Sequence, residues 1–217
     1  VRSFAANSGN MLVIDLGDGV AWQSHPEIGV HGAWSVDKLK EKIRQARTLG
    51  LEVIPKVNFS SCHDAWMKDY SRRLSTPEYY RFCSDIIGEC VAHFDTPRFL
   101  HIGMDEEDYP TQRYYEYVTV RQGALWWKDL HFYIDEVEKY RVRPWMWSDV
   151  LWHQSNGAFE NHVPKSVVQS NWYYWKDFER KVREEYGDGK AVFDRPVDAY
   201  LRLDAMGYDQ IPTGSNL

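Results

Sequence analysis

The sequence lacks the features of membrane-spanning and nucleic-acid-binding proteins. No apolar run reaches the length of a transmembrane helix, and the N-terminus shows no basic segment followed by an apolar core. Basic residues are in deficit, with 26 Lys and Arg against 32 Asp and Glu and a formal net charge of -6. This balance argues against nucleic acid or an anionic membrane as a partner. Neutral or weakly charged ligands remain open.

Cysteine is scarce, and no glycine-rich phosphate loop is present. The three cysteines cannot all pair within one chain, and Cys83 and Cys90 are spaced to share one face of a helix. We interpret them, with Cys62, as small buried hydrophobic residues, which leaves the redox compartment open. No glycine-rich loop opens a helix, and this argues against a nucleotide-binding sheet.

Aromatic residues, in contrast, are abundant. They make up 15% of the chain, and ten of them are tryptophans. Most are expected to pack in the core, but tryptophans near strand ends also offer apolar faces on which sugar rings stack. The composition therefore favours a carbohydrate ligand.

Apolar runs typical of buried strands alternate with amphipathic helices along the chain. Such alternation indicates an α/β fold with a parallel sheet, either a (β/α)8 TIM barrel or a doubly wound open sheet. Five of the six expected strands are followed by Asp, Glu, His or Trp, which favours the barrel. The strands are predicted at 11–16, 51–57, 98–102, 143–148, 166–172 and 208–212, the main helices at 36–49, 77–94, 124–140, 177–185 and 197–206, and a polar loop at 154–165.

About six β/α units do not close a barrel of eight. The chain begins within an apparent first helix and stops at a strand, so the first strand and the last unit are expected outside these residues. Residues 1–217 are then expected to form a single catalytic barrel domain. The alternative is an open sheet whose edges a partner covers, and a homo-oligomer is therefore a possible assembly.

The strand at 98–102 is followed closely by four consecutive acids, Asp105, Glu106, Glu107 and Asp108. Crowding of carboxylates at the end of a buried strand raises the pKa of the least solvated one, and a general acid needs such a pKa. We interpret Asp105 and Glu106 as functional, and Glu107 and Asp108 as surface charge. An acidic, solvated turn is the alternative for the whole run.

The segment His101-Ile102-Gly103-Met104-Asp105-Glu106 resembles the His-x-Gly-Gly-Asp-Glu motif of family 20 glycoside hydrolases, the β-N-acetylhexosaminidases. Met104 departs from the motif, since it stands where the family has its second glycine. The loop Asn58-Phe59-Ser60-Ser61-Cys62-His63 also differs from the family's Pro-Gly-His. Less specific resemblances follow in the same order at 11–22, 50–57, 145–149 and 167–172.

The resemblance implies exo-acting, retaining hydrolysis of a terminal β-linked N-acetylhexosamine, in which the sugar's own acetamido oxygen attacks the anomeric carbon. Glu106 would be the acid and base, and Asp105 would orient and polarise the acetamido group. Trp147 and Trp172 would wall the acetamido pocket. No cofactor or metal ion is expected, and glycan hydrolysis suggests an extracellular or periplasmic location. The remaining substrate-binding candidates are Asp18, Trp22, His63, Asp149 and Tyr173.

Two other function classes remain open. A carbohydrate-binding relative could keep the barrel and its tryptophans without turnover. A metal-dependent hydrolase could be built on His63, His101, Asp105 and Glu107. These four lack the His-x-His or helical His-x-x-x-His spacing that usually brings metal ligands together, so we rank the metal-dependent hydrolase last.

Overall fold

A computed structural model describes residues 1–174 and 196–214. The chain divides into two compact units, Val1–Pro144 and Trp145–Leu217. The helix predicted at 177–185 lies outside the described residues, and the prediction of a single domain stays a prediction. No helix among the described residues is long and apolar enough to cross a membrane.

The first unit is built on parallel strands. Met11 lies opposite Glu52 and Asp15 opposite Lys56, while Lys56 in turn lies opposite His101. The carboxyl ends of these strands therefore meet at one edge, where the following loops can bring their side chains together. The strands are β1 (Met11–Asp15), β2 (Glu52–Lys56) and β3 (Phe99–His101), and the helices are α1 (Arg2–Ala6), α2 (Val36–Arg47), α3 (Pro77–His93), α4 (Tyr109–Gln112) and α5 (Ala124–Glu138).

Helices α2 and α3 begin where their capping residues predict. The Ser35 side chain accepts a hydrogen bond from the backbone N–H of Lys38 at the start of α2. The Thr76 side chain accepts one from Tyr79, and Pro77 is the first residue of α3. Each cap satisfies a backbone donor that the helix itself leaves unpaired, which fixes the helix start.

The second unit pairs β4 (Arg143–Trp147) with β5 (Val168–Ser170) in parallel, and Pro196–Ala205 forms α7. The predicted polar loop at 154–165 is wrong, because Asn156–His162 forms a helix, α6, capped by Ser155. The strand predicted at 208–212 is also wrong as a full strand. That segment forms isolated parallel bridges from Gln210 to Gln169 and from Thr213 to Trp172.

Candidate active site

The turn after β3 has an unusual backbone that sets the direction of the two candidate catalytic acids. Gly103, Met104 and Glu106 have φ angles of 74°, 80° and 54°. A β-carbon on Gly103 would lie 1.9 Å from the Asn58 side-chain oxygen, so only glycine fits there. Met104 is 1% exposed and adopts the left-handed conformation that glycine tolerates best. The left-handed backbone at this position therefore explains a glycine in the family motif. This chain has a buried methionine there instead.

Asn58, in the loop after β2, holds Asp105 in place. Its side-chain N–H donates to Asp105 Oδ1 over 2.7 Å, and its Oδ1 accepts from the backbone N–H of Met104 over 3.2 Å. The Ser60 hydroxyl donates to the Asp105 carbonyl oxygen. Polar groups thus join the loop after β2 to the turn after β3.

His63 contacts both candidate catalytic acids. Its Nε2 lies 3.2 Å from Asp105 Oδ2 and 3.2 Å from Glu106 Oε2. The hydrogen bond to Asp105, followed by the one to Glu106, raises the pKa of His63 to about 10, although burial opposes this change. The imidazole is therefore a cation at neutral pH, placed between two carboxyl groups.

Asp105 is held in its ionised form. Burial on its own would raise the pKa of Asp105, but hydrogen bonding and charge from His63 and a hydrogen bond from Asn58 keep that pKa below its usual value. The Asp105 side chain is 16% exposed and that of Glu106 is 39% exposed. One carboxylate is thus fixed and charged, and its neighbour is open to solvent.

Glu107 is not surface charge, which corrects the sequence interpretation. Its side chain is 2% exposed and pairs with the buried Arg121, whose Nη2 lies 2.6 Å from Glu107 Oε2. Arg121 also donates to Asp129 Oδ2, the Tyr133 hydroxyl and the Phe59 carbonyl oxygen. A carboxylate this deeply buried needs such a partner, so Glu107 anchors the loop. Asp108, in turn, caps α4 by accepting from the backbone N–H of Thr111.

Asp18 and Trp22 lie in the segment after β1. Asp18 is half-buried in the short 3-10 turn Gly17–Gly19. Trp22 is 1% exposed, and its indole N–H donates to the Gly17 carbonyl oxygen over 2.8 Å. Its ring also stacks on His93. This position favours core packing over sugar contact for Trp22, while Asp18 retains exposed surface.

The other aromatic and acidic candidates belong to the second unit. Trp172 follows β5 and stacks on Tyr174, with ring centroids 5.1 Å apart, and its edge meets Trp152. Trp147 ends β4 and is half-buried, whereas Asp149 and Tyr173 are each 8% exposed. The partly exposed rings after β5 form the kind of surface on which a sugar can stack.

Sequence reasoning missed Asn58, Asp64 and Arg121. Burial raises the pKa of Asp64, the residue after His63, to about 7, although the Arg121 charge opposes this. Asn58 directly follows a predicted strand, and that position was the one available signal for it. Arg121 lies in a stretch without periodicity, where no pattern predicted it to be buried.

Comparisons with known proteins identify the fold of this chain. No family model matches the chain. It is 22% identical over 200 residues to a lacto-N-biosidase of Bifidobacterium bifidum, across 79% of this chain and 17% of that protein. Among solved structures, the family 20 exo-β-N-acetylglucosaminidase of Vibrio harveyi matches 98% of this chain and 37% of its own, with 17% identity and a TM-score of 0.67.

A chitobiase of Flavobacterium johnsoniae matches 98% of this chain and 35% of its own, with 14% identity and a TM-score of 0.67. These likenesses confirm the predicted fold: the chain has the α/β barrel fold of family 20 glycoside hydrolases. It spans 17% of the curated relative and little more than a third of the two solved structures, and therefore only part of that barrel.

Proposed function

We propose that this chain carries the catalytic acids of a glycoside hydrolase that removes a terminal β-linked N-acetylhexosamine with retention of configuration. The observation that carries the proposal is the arrangement of Asp105 and Glu106 around His63, with both carboxyl groups 3.2 Å from the same imidazole nitrogen. The fold shared with the Vibrio harveyi and Flavobacterium johnsoniae enzymes supports it.

In the first step Glu106 donates its proton to the glycosidic oxygen. The acetamido oxygen of the sugar attacks the anomeric carbon, and the bond to the leaving group breaks. A partly exposed carboxyl group suits this role, because it must reach the substrate and later a water molecule.

Asp105 serves the acetamido group. As the sugar oxygen attacks, positive charge develops on the acetamido nitrogen, and a fixed carboxylate can accept its N–H and stabilise that charge. Asn58 and His63 hold the two Asp105 oxygens before substrate arrives, so little rearrangement is needed. Glu106 then takes a proton from the water that attacks the anomeric carbon, and the bond from that carbon to the acetamido oxygen breaks, which releases the sugar with its configuration retained.

Substitution of the acid tests the proposal. We expect Glu106→Gln to lower kcat on an aryl N-acetyl-β-glucosaminide by roughly 10²- to 10⁴-fold, because the amide cannot donate the proton. Binding of N-acetylglucosamine should survive, since the amide preserves the shape of the site. Glu116→Gln changes an exposed acid beyond α4 and serves as the matched control.

Undiminished turnover in Glu106→Gln would exclude Glu106 as the acid. Sugar binding by the unmodified protein without turnover of any aryl glycoside would instead support the carbohydrate-binding alternative. The metal-dependent hydrolase gains no support from the geometry, because Glu107 is bound to Arg121 and His101 Nδ1 accepts the Gly103 backbone N–H.

A further inference from the structure

A cysteine lies beside the candidate catalytic pair. Among the described residues, Cys62 Sγ, a ring nitrogen of His63 and a carboxylate oxygen of Glu106 lie within 4.8 Å of one another. Cysteine at this position was interpreted as a small hydrophobic residue, and Cys62 is indeed buried. Its sulfur nevertheless faces polar groups, since it lies 3.8 Å from the Tyr115 hydroxyl.

We propose that Cys62, His63 and Glu106 form a binding site for a soft divalent cation such as Zn²⁺, and that the bound ion inhibits the enzyme. Thiolate, imidazole and carboxylate are the donors that zinc takes in proteins. Bond lengths of about 2.0–2.3 Å place the ligand atoms of a tetrahedral site about 3–4 Å apart. The three ligand atoms therefore need only small side-chain rotations to move from their present separations to these distances. Water supplies the fourth ligand.

Two of the three ligands are consecutive residues in a loop that hydrogen bonds already hold. The backbone N–H of Cys62 donates to the Ser60 hydroxyl over 3.1 Å, and that of His63 to the Ser60 carbonyl oxygen over 3.0 Å. The Tyr115 hydroxyl donates to the Cys62 carbonyl oxygen over 3.1 Å. A site whose backbone is fixed before binding loses less entropy when the ion arrives.

The site is open to an ion from solvent. The side chains of His63 and Glu106 are 37% and 39% exposed, so an entry path exists. Protons compete with the ion for the ligands, because the Cys62 thiol and the His63 imidazolium must each lose a proton before they bind it. Measurements should therefore be made slightly above neutral pH, where this competition is weaker.

Inhibition follows from the ligand set and rests on the proposed function. An ion bound to the Glu106 carboxylate prevents that group from carrying the proton that the leaving oxygen needs. The same ion removes His63 from its contact with Asp105, so the acetamido group loses its fixed partner. The unusual Cys62 would thus make hydrolysis sensitive to soft cations.

Cobalt substitution tests the site without any need for catalysis. Co²⁺ bound by a thiolate gives a near-ultraviolet charge-transfer band, which Zn²⁺ should abolish by displacement. We expect the band in the intact protein and in Cys90→Ala, which removes a buried thiol within α3. The band should be absent in Cys62→Ala and in Cys62→Ser, with circular dichroism verifying that each variant is folded.

Inhibition is measured against each variant's own metal-free rate. Zn²⁺ should inhibit Cys62→Ala at least about tenfold more weakly than the intact protein, since loss of a direct ligand exceeds the usual effect of losing an outer partner. No band in the intact protein, or a band that survives in folded Cys62→Ala, would overturn the cation site. If no aryl glycoside is cleaved, the proposed function and the inhibition fail. The cobalt spectra still show whether the cation site exists.

Discussion

Met104 combines a favourable side-chain position with an unfavourable backbone. Its side chain is buried beside the catalytic turn, while its φ of 80° is a conformation in which a β-carbon is strained. The buried side chain stabilises the fold by more than the strained backbone destabilises it, because burial of a methionine is worth a few kcal/mol and the strain about 1–2 kcal/mol. The departure from the family motif is thus compatible with a folded turn.

A pair of substitutions separates these two effects. Met104→Gly and Met104→Ala both remove the side chain, but only alanine keeps the strained β-carbon. We expect both variants to be less stable than the natural protein, and Met104→Gly to be more stable than Met104→Ala by about 1 kcal/mol in urea unfolding. Equal stability, or greater stability of the alanine variant, would show that the turn is not strained at this residue.

The His63 cation makes stability depend on pH in a defined direction. Its pKa is about 10 in the folded chain and about 6.5 in the unfolded chain, so its contribution is complete below about pH 6.5 and is lost as the pH rises towards about 10. The loss of unfolding free energy in His63→Gln should therefore be largest near about pH 6 and should shrink towards about pH 10.

Urea unfolding of both proteins across that range provides the measurement. His31→Gln, at an exposed position in the loop before α2, is the control and should show little dependence on pH. A His63→Gln penalty that grows with pH would contradict a raised His63 pKa.

At the scale of elements, Arg121 joins three parts of the first unit. It contacts the loop after β2 through Phe59, the loop after β3 through Glu107, and α5 through Asp129 and Tyr133. A guanidinium group can make these contacts at once because its donors point in several directions within one plane. The turn after β3 is therefore fixed to a helix as well as to the sheet.

Removal of this arginine should be severe. Arg121→Ala leaves two buried carboxylates, Glu107 and Asp129, without their cation, so we expect a loss of about 3–5 kcal/mol in unfolding free energy. Arg113→Ala removes an exposed arginine from the same stretch and should change stability by no more than about 0.5 kcal/mol. Losses of similar size in the two variants would contradict an anchoring role for Arg121.

The sequence predicted the elements whose signals are local. Caps at Ser35 and Thr76 and the helical spacing of apolar residues placed α2 and α3 closely, because those signals lie within a few residues of the helix they define. The prediction failed where the residues that determine a structure lie far apart in the sequence. Glu107 looked like a solvated acid because its partner Arg121 follows 14 residues later, and α6 was missed because its sequence is polar apart from Phe159.

The same distinction applies to the candidate site. The motif predicts Asp105 and Glu106 as functional because strand end and acid run are contiguous in sequence, and that role stays a prediction. The contact of His63 with those acids depends on how the loops after β2 and β3 fold together, which spacing alone does not encode. The role of Asn58 was missed for the same reason.

At the scale of the whole molecule, the candidate functional side chains follow the carboxyl ends of parallel strands. The α/β barrel fold of family 20 glycoside hydrolases is shown across 98% of this chain, and the chain spans part of that barrel. The adjacent acids follow β3 in the first unit, and stacked aromatic rings follow β5 in the second. Acids of this kind can transfer protons, and aromatic rings can bind a sugar ring.

The most direct test of the central claim compares two substrates that differ only in the acetamido group. The intact protein should cleave an aryl N-acetyl-β-glucosaminide and leave the matching aryl β-glucoside essentially uncleaved, because the glucoside has no acetamido oxygen to attack the anomeric carbon. Steady-state release of the aryl alcohol from each substrate gives the ratio of kcat/KM. Comparable cleavage of both substrates, or preference for the glucoside, would contradict catalysis through Asp105 and the substrate's acetamido group.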